Sequence, residues 1–284
     1  MRQVLVAVWQ IVKDAFGHFN SDDGWAISSH LAVSAIMALF PFLIFAASLA
    51  SFLGAEAFAD TAVHIVFDTW PHEVAEPLAQ EVVNVLSVRR GDILTFGVLF
   101  AAFFASNGVE ALRLSLNRAY RVVENRSFFF LRAQSLAFVL VAAAGFFAIS
   151  VLLVIGPVAV NFANERVEWI EFYMGTITFW RFVVAVAVLV SALLAVHRWL
   201  PAGRRRFVDI IPGIIFTLMG WLAGSSVFAA YLARFSSYAN TYAGLASMMI
   251  AVVFLYIISA IFILGGELNA AIMRYRGVGR TVRD

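Results

Sequence analysis

The chain predicts an all-α fold, a polytopic bundle of six transmembrane helices preceded by an amphipathic helix in the membrane interface. Three observations lead there. Hydrophobic residues make up 62% of the 284 positions and charged residues only 13%, with a mean hydropathy of +0.88. A soluble domain carries roughly 45–50% apolar and about 25% charged residues. The apolar residues fall into six runs, each long enough for the about 20 residues that a spanning helix needs. The basic residues, finally, concentrate on alternate connections. A water-soluble globule could not hide this much apolar surface, which excludes an ordinary cytosolic enzyme, a disordered tail and a nucleic-acid-binding domain.

The first element is short and amphipathic. Val4, Leu5, Val8, Val12, Ala15, Phe16 and Phe19 recur at helical spacing, with Gln3, Gln10, Lys13 and Asp14 off that stripe. A helix of this kind lies in the interface plane. Its apolar run at residues 4–9 is too short for a signal peptide, and no small-residue cleavage site follows. Asn20, Ser21, Asp22 and Asp23 supply turn and cap chemistry before the first span. The spans are read at about residues 25–52, 93–112, 128–160, 176–200, 207–233 and 242–272. The third is long enough to tilt or project beyond the bilayer. None shows the strict alternation of a membrane barrel, and no close internal repeat is visible. Residues 53–92 form a long outer loop in which Val74, Leu78, Val82 and Val85 are spaced as one helix face, a lid or shoulder rather than a domain. The whole chain, 1–284, is read as one membrane domain.

Fifteen of the 20 basic residues lie before the first span, between the second and third, between the fourth and fifth, and after the sixth; five lie on the other side. The positive-inside rule places both termini in the cytoplasm. Only Lys13 among them is a lysine. The chain has no cysteine, hence no disulfide, thiolate metal site or cysteine nucleophile.

Several short patterns occur in a fixed order: Leu39-Phe40-Pro41; Ala111-Leu112, then Leu116-Asn117-Arg118-Ala119-Tyr120 with Glu124 and Arg126; Leu200-Pro201 with Arg206, Asp209 and Pro212-Gly213; Tyr242-Ala243-Gly244; and the run Leu264-Gly265-Gly266-Glu267-Leu268-Asn269-Ala270. Together they resemble the YihY/BrkB family of bacterial inner-membrane proteins, over about residues 22–275. The resemblance implies six helices and no settled activity. Some members carry an old ribonuclease label, regarded as a misassignment, and others a virulence or serum-resistance label. One departure is that Val33-Ser34 stands where the family usually has a tyrosine pair, so a role for that pair does not transfer.

Ionisable groups inside a membrane are costly and are functional candidates by default. At about 1.5 Å of rise per residue, His30, Asn107, Glu110, Glu267 and Asn269 reach a similar depth in the inner leaflet. A shared polar layer is therefore predicted, with Arg113 and Arg118 as counter-ions. It has two readings, helix packing or a substrate site. His30 is read as a hydrogen-bonded packing residue or a proton relay, and His197 as an interfacial residue. Arg204, Arg205 and Arg206 form a basic rim that serves topology or binds anionic lipid head groups. Pro41, Pro157 and Pro212 are candidate kinks. Gly220 and Gly224 make a G-x-x-x-G pair for close helix approach, within the bundle or across a dimer. Asn240-Thr241-Tyr242 is a candidate cap for the sixth span. Asp60, His64, Asp68 and His72 have metal-like spacing, but Trp70-Pro71 interrupts it, and neither metal nor cofactor is expected.

No phosphate-binding loop, zinc-protease motif or nucleophile elbow occurs. The carboxylates are scattered rather than clustered for a metal-dependent nuclease. Three function classes follow. The leading one is a non-enzymatic transporter or flippase for a lipid-like amphiphile. The alternative is a scaffold binding other envelope proteins or a second copy. An enzyme comes third. Membrane lipids are the expected partners and nucleic acid is not. The missing cysteines make topology directly measurable. Single cysteines at Gln10 and Arg204 are expected to stay unlabelled by an impermeant maleimide on intact cells, while one at Glu76 is labelled; the reverse pattern would invert the orientation.

Overall fold

A computed structural model describes residues 2–52, 91–150, 174–234 and 243–277; within these, the side chains of 39–52 and 91–99, among others, lie outside what is described. The described residues are helical, with turns and no strand. The helices are α1 (Arg2–Ser21), α2 (Gly24–Phe52), α3 (Gly91–Tyr120), α4 (Phe128–Ser150), α5 (Met174–Trp199), α6 (Phe207–Arg234) and α7 (Ala243–Tyr275). Four stretches are long and apolar enough to cross a membrane: Phe128–Gly145, Gly175–Trp199, Phe207–Leu232 and Met249–Tyr275. Gly24–Ala38 is a shorter apolar stretch among the described side chains. The outer loop, the outer end of the predicted third span (151–160) with Pro157, the Asn240–Tyr242 cap and the 60–72 histidine spacing lie outside the described residues.

Neighbours in sequence are neighbours in space from α2 to α7, and α7 packs back against α2, α3, α6 and α1. The start of α2, the end of α3, the start of α4, the end of α5, the start of α6 and the end of α7 gather at one end of the bundle. Bonds across that end include Arg121 with Asp22, Ala202 with Asn117, Arg126 with Leu200, and Arg274 with Asp14. Phe19, Leu116, Leu200 and Ile210 form a fully buried core there.

α1 divides its apolar stripe. Ala15 and Phe19 are buried, whereas Leu5, Val8, Trp9, Val12 and Phe16 are exposed. The α1–α2 turn is tight. Asp23 sits at φ 58°, and Asp22 N–H donates to His18 O at 2.8 Å. Phe19 stacks edge-on against Trp25 with centroids 4.9 Å apart, so closely that a Cβ on Gly24 would meet the Phe19 ring at 2.5 Å.

α3 runs eight residues past the predicted span end and closes with a Schellman motif. Arg121 N–H donates to Arg118 O at 2.9 Å, and Val122 N–H to Asn117 O at 3.0 Å. Arg121 takes the left-handed position (φ 55°) that glycine usually fills. Arg113 and Arg118 are therefore helical residues, not loop residues.

Among the described glycines, the tightest contacts between helices are between α6 and α7. A Cβ on Gly213 would collide with the Gly265 carbonyl oxygen, and one on Gly265 with Thr217 Oγ1. About two and three turns further along α6, a Cβ on Gly220 would meet Ile261 at 2.6 Å and one on Gly224 would meet it at 3.1 Å. The G-x-x-x-G face is thus turned into the bundle, toward α7. In lipid no hydrophobic force drives helices together, so packing of small residues and interhelical hydrogen bonds set the association.

Gly213→Ala is expected to destabilise the protein in detergent by at least the about 1–3 kcal/mol of an overpacked core, because the blocking atoms include backbone. Gly17→Ala, which meets nothing within 4 Å, should be neutral or stabilise by up to about 1 kcal/mol. Melting curves followed by size-exclusion chromatography decide between equal and unequal effects.

Candidate functional site

The predicted polar layer divides into two groups. On the α3–α4 flank, Glu110 pairs with Arg113 at 2.7 Å, one helical turn on. Arg113 is buried, and it donates to Ser135 Oγ at 2.7 Å and Leu131 O at 3.0 Å. Ser135 donates onward to Glu110 at 3.1 Å. Arg132 donates to Asn107 Oδ1 at 2.8 Å and lies over the Phe103 ring. Glu110 and Asn107 are only half-buried.

The second group lies in the core where α3, α5, α6 and α7 meet. Asn269, fully buried, accepts from Gly213 N–H at 2.6 Å and donates to Tyr120 Oη at 3.3 Å. The phenol bonds His197 Nδ1 at 2.8 Å. Since Tyr120 accepts from Asn269, its own proton is free to go to His197 Nδ1, which leaves the imidazole N–H on Nε2. That Nε2 is buried and finds no partner among the described residues. Glu267, only 1% exposed, has an Oε2 that is likewise unpartnered among them.

One predicted member does not join the layer, and one arginine leaves the predicted basic rim. His30 is exposed: α2 turns Ile27, Ser28, Leu31 and Ala32 inward, and His30 falls on the other side. Arg205 leaves the basic rim. It is buried with its guanidinium 3.9 Å from the centroid of the Tyr120 ring and donates to Ala202 O at 2.8 Å, while Arg204 and Arg206 are exposed. Burial lowers the Arg205 pKa from its ordinary value. His197, read from sequence as interfacial, is instead fully buried between Tyr120 and Phe262. Its place at the end of a long apolar run next to Arg198 hid this. Pro212 lies inside α6 beside the Gly213 contact. Pro41 lies within α2, among the side chains that are not described.

A third cluster closes the connections. Arg126 Nε donates to Glu124 Oε1 at 2.7 Å and its Nη2 to Glu124 Oε2 at 2.5 Å, a two-pronged pair. Arg126 also reaches Leu200 O at 2.9 Å. Asn117 donates to Glu124 at 3.1 Å and accepts from Ala202 N–H at 2.8 Å. The α3–α4 and α5–α6 connections are thereby stitched together. The Arg126 hydrogen bonds, aided by Asn117 against the cost of burial, hold the Glu124 carboxyl down at about 2. Among the described residues no three histidine or carboxylate side chains come together as a metal-binding group.

A family model described as virulence factor BrkB matches residues 15–283. The chain belongs to the BrkB family. Within it, one relative is named a ribonuclease-like protein, YfkH of Bacillus subtilis. It is 29% identical over 260 residues, covering 91% of this chain and 94% of the relative. A UPF0761 membrane protein of Rhodospirillum centenum is 22% identical over 267 residues, 94% of this chain but 58% of that protein. No solved structure matches. The resemblance drawn from the short patterns is thus shown, and the chain is a BrkB-family membrane protein. The family patterns coincide with the contacts above: Asn117, Tyr120, Glu124 and Arg126 in one, Gly213 in another, Gly265, Glu267 and Asn269 in a third.

The depressed Glu124 pKa has a defined pH consequence. A carboxyl lower in the folded state stabilises above its ordinary value near 4.5 and loses that contribution as pH falls toward about 2. Glu124→Gln is expected to cost about 2 kcal/mol at neutral pH, the scale of hydrogen bonds to charged groups. The gap from wild type should narrow as pH drops below 4.5. Melting temperatures whose difference does not change with pH would contradict this.

Proposed function

We propose that this protein is a six-span, non-enzymatic transporter or flippase of the bacterial inner membrane, with both termini cytoplasmic and a lipid-like amphiphile as substrate. Four helices meet the length and apolarity needed to cross, and α2 and α3, at 29 and 30 residues, supply the remaining two. The end where the connections gather carries exposed Trp9, Trp25, Phe129, Trp199 and Tyr275 beside exposed Arg118, Arg204 and Arg206. Aromatic rings with arginines are the usual furniture of a cytoplasmic interface. The outward apolar face of α1 fits an interfacial helix, and the exposed arginines fit anionic lipid head groups as partners.

The observation that carries the reading is Glu267. A carboxyl inside a spanning helix, closed off from solvent and without a partner for Oε2 among the described residues, is expensive to keep for packing alone. An apolar side chain of similar volume would pack there at lower cost. A moving substrate or ion gives the carboxyl a use.

The scaffold reading is favoured by a different observation. Glu110 is paired with both Arg113 and Ser135, as a packing residue would be. The two carboxyls therefore give a discriminating pair. In liposomes holding a fluorescent phospholipid, wild type is expected to accelerate transbilayer exchange. Glu267→Gln should reduce that acceleration about tenfold or more, and Glu110→Gln should lower thermal stability with a smaller effect on rate. Wild-type liposomes no faster than empty ones, or both variants folded and fully active, would remove the lipid-transport reading and leave the scaffold.

A further inference from the structure

The surroundings of Glu267 hold an imbalance of charge. The charged groups near its carboxyl come from four places: Asp14 of α1, Asp22 of the α1–α2 turn, Arg121 at the end of α3 and Arg274 of α7 itself; from α5 the His197 ring lies beside Gly266. The Tyr120 phenol of α3 is also within its field. From α2 no charge arrives, since its titratable residue, His30, is exposed elsewhere. On the α6 side Asp209 faces Arg276, 3.8 Å away.

Both arginines face carboxyls already. Arg274 donates through Nε to Asp14 Oδ2 at 3.0 Å, while its buried Nη2 lies 2.9 Å from the same oxygen without making a hydrogen bond. Arg121 meets Asp22 Oδ2 at 2.9 Å. His18 also touches Asp14, at 3.3 Å. Burial first, and the Arg274 and Arg121 charges next, lower the His18 pKa, so it adds little positive charge near neutral pH. Three carboxyls thus share two guanidiniums, and the one left over is the buried one whose Oε2 has no donor. An ionised Glu267 in this position would be an uncompensated charge at membrane depth. It can be relieved only by a proton or by taking an arginine from its present partner.

We propose that Glu267 is a proton-binding site of the bundle: protonated while Arg121 and Arg274 hold Asp22 and Asp14, it captures one of these arginines on losing its proton and so loosens α1 from the helix ends. Asp14–Arg274 and Asp22–Arg121 are the ion pairs that fasten α1 and its turn to α7 and α3, so the proton and the docking of α1 are linked. The proton is then the coupling ion of the transport reading, on which this role rests, although the titration itself does not depend on any substrate.

The test uses the full-length protein in lipid nanodiscs. Dicyclohexylcarbodiimide, an apolar reagent for protonated carboxyls, is applied over roughly pH 5 to pH 9, and adducts are located by peptide mass mapping. Glu267 is expected to be modified, with about tenfold more adduct at the acid end, and ion-paired Glu110 to stay unmodified. In parallel, a nitroxide on a single cysteine at Gln10 of α1 should gain mobility as pH rises, and Glu267→Gln should stay docked at every pH. No adduct at Glu267, an adduct independent of pH, or the same nitroxide response in Glu267→Gln overturns the proposal. So does a Glu267→Gln protein that cannot fold, because glutamine imitates the protonated form assigned to the resting state. A positive result without lipid flux in the liposome assay would retire the transport reading and keep the proton site.

Discussion

The bundle depends on one hydrogen bond, from the Gly213 backbone N–H to Asn269 Oδ1 at 2.6 Å. In lipid an unpaired backbone group costs several kcal/mol, and α6 has a weak point here, since Pro212 brings no N–H of its own. The Asn269 side chain can reach Gly213 only because Gly213 and Gly265 both lack a Cβ. The remaining Asn269 amide then extends to Tyr120 and through it to His197. A single contact between two helices thereby sets the positions of four. Thr217 strengthens the same seam by returning its hydroxyl to Gly213 O at 2.8 Å. With no hydrophobic force between helices, this fixed polar chain accounts for the burial at one end of the bundle better than the aliphatic side chains around it do.

The apolar runs made the helices legible. Wherever both ends of a predicted span fall on described residues, the helix found there matches it within two or three residues at each end, except at the end of α3. There the cause is physical: Arg113 through Tyr120 read as a polar connection because their average hydropathy is low, but Arg113, Ser115, Leu116, Asn117, Ala119 and Tyr120 are all buried, the polar ones among partners inside the bundle, and only Leu114 and Arg118 are exposed. Hydropathy averages over a helix face that geometry separates. The site was legible only in part. Glu267 and Asn269 stood out as polar residues in an apolar run. They were expected to share a depth with Asn107 and Glu110, yet depth says nothing of azimuth, and the two pairs face different neighbours. His197 and Arg205 were hidden for the opposite reason. Each sits among interfacial arginines, and only the fold reveals that one side chain of such a cluster turns inward.

The charged residues at the connections do two different jobs. Glu124 with Arg126 is a closed pair, each atom committed, with Asn117 and Leu200 O taking the remaining valences. It is half-buried and two-pronged, which favours a fixed geometry over a screened surface contact. The pairs of Asp14 and Asp22 are single-pronged at the carboxylate, more exposed, and adjacent to a further carboxyl. Such pairs are worth little individually, and that weakness makes them suitable to exchange partners.

Arg121 shows where that difference originates. Glycine would take its left-handed backbone at no steric cost, whereas an arginine there gives up about 1–2 kcal/mol. The motif closes α3 either way, since both of its hydrogen bonds are made by the backbone. What the side chain adds is the 2.9 Å contact with Asp22, itself held in a turn whose next residue, Asp23, is also left-handed. One strained position is thus tied by an exposed ion pair to the residue that precedes another. An ion pair of this exposure returns less than the backbone cost, so stability alone does not explain arginine at this position. The proposed exchange does, because it gives the guanidinium a second acceptor in Glu267.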